Sequence, residues 1–235
     1  MAQWFNARKA AQVAAYLAMR QGGTINVMKL VKLIYLADRE FMTRYDSPIL
    51  FDRLVSMPHG PVNSMTYNYM GGAFDDAGWN AFIADREGHD VALASINITP
   101  ADFDQLSEAE VEVMGIVWGK FGHMTQWEIR DYTHTHCPEW EDPQGSSLDI
   151  PYERVFKFLG KAANASELAG RVMRVNQNTS FGVPTTATSY RYASVFCRSR
   201  AYFTRSLQAR DCRARYRVDS GLPTPGPASR ANQFA

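Results

Sequence analysis

No stretch of this sequence approaches the roughly 18 apolar residues that a membrane span needs. The opening segment MAQWFNARKAAQVAAYLAMRQ is broken by Asn6, Arg8, Lys9 and Gln12, so it lacks the continuous apolar core of a signal peptide. Cysteine is scarce: Cys137, Cys197 and Cys212 are far apart, odd in number and form no CxxC pair. That excludes a disulfide framework as an organising principle and suits a reducing cytoplasm. Also missing are a GxSxG elbow, a phosphate-binding glycine loop and an HExxH helix, so the named catalytic motifs point to no enzyme and no cofactor. There is no internal repeat.

The most informative scarcity is local. Residues 171–235 contain 11 Arg, no Lys, two Asp and no Glu, a net charge of 11 − 2 = +9. Residues 1–170 hold 14 Lys plus Arg and 22 Asp plus Glu, a net charge of 14 − 22 = −8. Such different usage divides the chain into an acidic domain, residues 1–165, and a basic Ser/Thr/Pro-rich tail, residues 166–235. The tail composition predicts a poorly structured segment, or one ordered by a partner. Its arginines and aromatics also suit nucleic-acid contact, with guanidinium on phosphate and rings on bases. A recent extension with no selected role is the third reading.

Apolar spacing makes the domain mainly α. Residues 3–21 read as a helix stopped by Gly22 and Gly23. Residues 26–45 read as the central helix, with Asn26 as N-cap and Val27, Leu30, Val31, Ile34 and Phe41 on one stripe. Ser107 with Glu110, and Thr125 with Glu128, form two capping boxes, each opening a helix. Residues 150–163 read as a last amphipathic helix, and residues 80–96 as a hairpin around Glu87-Gly88. The expected architecture is a compact helical domain with small β-hairpin elements, followed by the tail.

Three constellations carry candidate chemistry. In MPHGPV, residues 57–62, two prolines and Gly60 suffice to turn a corner between a strand and a helix. His59 would then sit exposed on that corner, with no local nucleophile or carboxylate to make it a general base. HTHC, residues 134–137, has zinc-type ligands but no second pair, and Pro138 and Trp140 suggest a helix end folding back through an aromatic anchor. The acidic runs DFDQLSEAEVE and EWEDP read as capping residues and solvated faces rather than acid–base pairs.

Taken in order, these motifs resemble the Panacea domain of SocA-like antitoxins over about residues 5–162. The resemblance is carried by Lys29, Leu30, Lys32, Leu33, Tyr35, Ala37 and Asp38, then Pro58, Gly60, Pro61 and Val62, then His134, His136, Pro138 and Trp140. It implies an antitoxin, not an enzyme, that neutralises a protein toxin encoded beside it by direct contact. One branch of the family also delivers its toxin to a cytoplasmic protease. An acidic surface would steer a basic toxin into contact. The partner-binding candidates implied are Lys32, Tyr35, Asp38, His59, Gly60, Pro61 and Trp140. The competing reading for Tyr35 and Asp38 is internal: hydrogen bonds that fix the central helix.

Overall fold

The computed structural model describes residues 5–178. The chain divides into two units, Met1–Pro184 and Thr185–Ala235, and the second lies outside the described residues. Helix α1 (Ala7–Gln21) starts at Asn6, whose side chain accepts from the Lys9 amide, and stops at Gly22 with φ 101°. Its buried face is rich in alanine (Ala10, Ala11, Ala14, Ala15, Ala18), which lets helix α2 (Val27–Tyr45) approach closely. Asn26 caps α2 through the Met28 and Lys29 amides. Because α1, α5 (Glu108–Phe121) and α6 (Gln126–His136) all pack on α2, its apolar stripe widens into an almost wholly buried run from Val27 to Asp38. Both expected capping boxes are formed.

Two small antiparallel sheets complete this core. Strands β2 (Leu54–Met57) and β3 (Gly60–Asn63) make a hairpin with Pro58 and His59 as its turn. MPHGPV therefore reverses a strand onto itself, and helix α3 (Ser64–Met70) begins only after β3. Pro61 lies opposite Ser56, one position beyond the Met57–Gly60 pair that closes the turn. At that alternate position an N–H would point away from β2, so proline fits, on an edge strand of the order β3-β2-β5. Strand β5 (Leu148–Asp149) pairs with the other side of β2.

Three expectations need correction. The hairpin at residues 80–96 reduces to two bridges, Ile83–Leu93 and Glu87–Asp90. Its first arm starts as the short helix α4 (Ala77–Asn80), and β4 (Asp90–Ala92) pairs instead with β1 (Thr24–Asn26), which sets buried Val91 opposite buried Ile25. The last helix is interrupted: α7 (Tyr152–Phe156) runs into a wider turn that breaks at Gly160, φ 79°. The domain boundary at residue 165 falls at the start of α8 (Ala165–Asn178), which packs on α7 and buries Leu168, Ala169 and Val172. Of the basic segment 171–235, only the end of α8 is described. The expected tail structure and nucleic-acid contact otherwise fall outside the described residues.

Candidate interaction site at the hairpin corner

The polar side chains of α2 point inward and hold the hairpin. Lys32, 1% exposed, donates from Nζ to the Pro61 carbonyl at 2.8 Å, and burial pushes its ammonium down to about 7. Tyr35 donates its hydroxyl to Glu139 Oε1 at 2.7 Å, and Arg39 Nε donates to the same oxygen at 2.8 Å. Burial raises the Tyr35 hydroxyl well above its ordinary range, with the Glu139 charge adding to the effect. Asp38 Oδ1 accepts from the Ile49 and Leu50 amides, and its Oδ2 accepts from Asn63 Nδ2 at 2.6 Å. Burial still moves this carboxyl up to about 7. Asp52 clamps the start of α3 through the Met65 and Thr66 amides and the Thr66 hydroxyl, and burial takes it to about 6.

These partners decide between the two readings of α2. Lys32, Tyr35 and Asp38 are interior struts, and their burial leaves them to support the corner from within rather than to meet a partner directly. Glu139 corrects the solvated reading of EWEDP: it is fully buried and joins Tyr35 to Arg39. Its partners on α2 lie about a hundred positions away in the chain, which no local pattern signals.

His59 is exposed, as expected of a corner. Burial lowers its pKa, and the like charges of Arg130 and Lys32 lower it further. Gly60 is buried beside it, and two features call for glycine there. Its φ is +96°, and an added Cβ would lie 2.8 Å from Thr133 Oγ1, 3.1 Å from Lys32 Nζ and 3.2 Å from His134 Cδ2. The missing side chain is what lets the hairpin touch α6. Trp140 seals the contact: its Nε1 donates to the Met57 carbonyl at 2.9 Å, and its ring stacks on His134 at 4.2 Å. Burial depresses the His134 pKa, because Nε2 is buried with no acceptor for a proton.

The histidines and cysteine of HTHC do not converge. His136 stacks on Tyr132, while Cys137 is buried and its thiol is pushed up to about 12 by burial. Among the described residues no group of three or more His, Cys, Asp or Glu is placed to hold a metal ion. No helix among them is long and apolar enough to cross a membrane.

Two residues at the corner escaped the sequence reading. Trp127 is 50% exposed, and the Arg130 guanidinium lies 5.0 Å over its ring. With His134 they stand at i, i+3 and i+7 of α6, while Ile129 and Thr133 face inward. That spacing, on a helix whose capping box was already legible, was the available signal.

The site thus belongs to a helical domain with small antiparallel sheets, in which a buried polar scaffold presents a hairpin turn beside a helix face. A family model described as "Antitoxin SocA-like, Panacea domain" matches residues 30–141. The resemblance to that family therefore holds from early in α2 to the residue after Trp140, and so covers the corner and its struts. It is narrower than the expected 5–162 and excludes α1, α7 and α8. No curated protein and no solved structure matches the chain.

Proposed function

We propose that this protein is an antitoxin that neutralises a protein toxin by direct, stoichiometric binding, as a non-enzymatic protein of the cytoplasm. The observation that carries this reading is the Panacea match over residues 30–141, the segment that builds the hairpin corner. The roles of the ionisable groups support it. Lys32, Tyr35, Asp38, Asp52 and Glu139 are each engaged in a buried hydrogen bond that joins two segments. A scaffold of this kind stiffens a surface and lowers the entropy lost when a partner docks. The family resemblance adds a further role, handing the bound toxin to a cytoplasmic protease.

The test is bacterial growth during expression of the gene beside this one, with and without this protein. Growth arrest by the neighbour, relieved by the full chain, is the expected result. An inert neighbour, or a toxic one that this protein neither relieves nor binds, would overturn the reading. Loss of rescue in a protease-deficient strain would separate delivery to the protease from simple capture.

A further inference from the structure

His134 closes the hairpin against α6 through one face and one edge of its ring. The face stacks on Trp140, with ring centroids 4.2 Å apart and planes 13° from parallel. Trp140 in turn donates from Nε1 to the Met57 carbonyl at 2.9 Å, which ties the stack to the hairpin. The edge points at the turn: a Cβ on Gly60 would lie 3.2 Å from His134 Cδ2 and 3.1 Å from Lys32 Nζ. Nε2, the next atom on that edge, is buried with no hydrogen-bond partner. The carboxylates on either side are engaged elsewhere: Asp131 pairs with Arg130, Glu139 accepts from Tyr35 and Arg39, and Glu141 pairs with Arg154. The charged and titratable groups that face the ring are Lys32 from α2, His59 from the turn, and Arg130 with its partner Asp131 from α6. Cys137, just past α6, is a buried free thiol.

We propose that His134 is a proton-operated latch: as a neutral ring it shuts the hairpin corner against α6, and as an imidazolium it leaves the Trp140 stack and lets the corner open. An imidazolium donates from both nitrogens. Nε2 faces no acceptor, so a proton gained in place is a buried charge without a partner. Swinging the ring to solvent removes that penalty at the cost of the stack. Burial holds the pKa of the closed ring below the ordinary 6.5, and the like charges of Lys32 and Arg130 hold it lower still. The closed corner therefore binds the proton less well than the open one. Its stabilisation by His134 is fully present above about pH 6.5 and is lost as pH falls below that value. The consequence is regulatory: the turn at His59 is held in place at neutral pH and released in acid. The latch is a property of the fold and stands independently of the antitoxin reading.

The full chain is followed by NMR from about pH 7.5 to about pH 5. The His134 ring resonances report its titration. Solvent exchange of the Trp140 indole N–H, corrected for the intrinsic pH dependence of indole exchange, reports opening. The expected result is a His134 titration below 6.5 and, in step with it, a loss of Trp140 protection of about tenfold. His134→Phe, which keeps a ring on Trp140 and cannot titrate, should hold that protection through the same range. His59→Ala, at the exposed turn, should leave the coupling in place. A His134 that titrates at or above 6.5, Trp140 protection that does not follow it, or a loss that persists in His134→Phe overturns the proposal. Lys32→Met separates the rival group, whose own value lies at about 7. If that variant alone abolishes the loss, Lys32 is the titrating group and the proposal falls. Toxin neutralisation plays no part in these readouts, so a failed antitoxin reading leaves their outcome intact.

Discussion

At the scale of single residues, Gly60 and Glu139 are the positions where substitution should matter most. Gly60→Ala forces a side chain into a left-handed backbone and against Thr133, Lys32 and His134. A loss of about 2 kcal/mol or more in urea unfolding is expected, whereas His59→Ala next to it should stay within about 0.5 kcal/mol. Glu139→Ala leaves the Tyr35 hydroxyl and the Arg39 guanidinium without their shared acceptor. Removing one partner of a buried pair costs about 3 kcal/mol, and an unfolding midpoint close to that of the wild type would contradict the strut assignment.

The buried carboxyls and the buried amine also give a pH signature. Asp38 and Asp52 have folded values of about 7 and about 6 against an ordinary 3.8, so the folded state binds more protons than the unfolded one between those limits. Their contribution to stability is fully present below about pH 4 and is lost as pH rises towards 7. Lys32, at about 7 against 10.5, acts the other way: the unfolded chain holds the extra proton, and stability rises with pH from about 7 to 10.5. Comparing unfolding free energies across pH should show that Asp38→Asn flattens the acid-side fall and Lys32→Met flattens the alkaline-side rise. Variants with unaltered pH slopes would contradict these assignments.

At the scale of elements, local signals and distant partners parted company. The Asn26 cap, the Gly22 stop and the Ser107 and Thr125 capping boxes are short-range chemistry, and each was legible as a string of neighbouring letters. The hairpin corner was legible as a turn, but the reversal onto β3 was not. Its register depends on Pro61 lying at the position opposite Ser56 where no N–H is required. The strut roles of Lys32 and Tyr35 were hidden because Pro61 and Glu139 come from other parts of the chain. The boundary at residue 165 followed a shift in charge, whereas the folding unit follows burial, and α8 contributes apolar residues to the core. A chain ending at residue 164 should therefore melt several degrees below one ending at residue 178, since it exposes the α7 surface that Leu168 and Val172 cover. Equal melting temperatures would place α8 outside the cooperative unit.

At the scale of the whole molecule, two charge patterns coexist. Residues 1–170 carry a net charge of −8 and residues 171–235 a net charge of +9, and under the antitoxin reading the acidic domain supplies long-range attraction for a basic partner. This division makes the salt dependence informative. Raising the ionic strength should slow association with such a partner.

The most direct measurement is a titration of the purified neighbouring toxin, at fixed concentration, with the full chain, reading residual toxin activity against the molar ratio. Direct binding predicts a linear loss of activity that ends at a fixed whole-number stoichiometry. Complete inactivation at a small fraction of one equivalent would mean that this protein turns over its target, and the binding account would be contradicted.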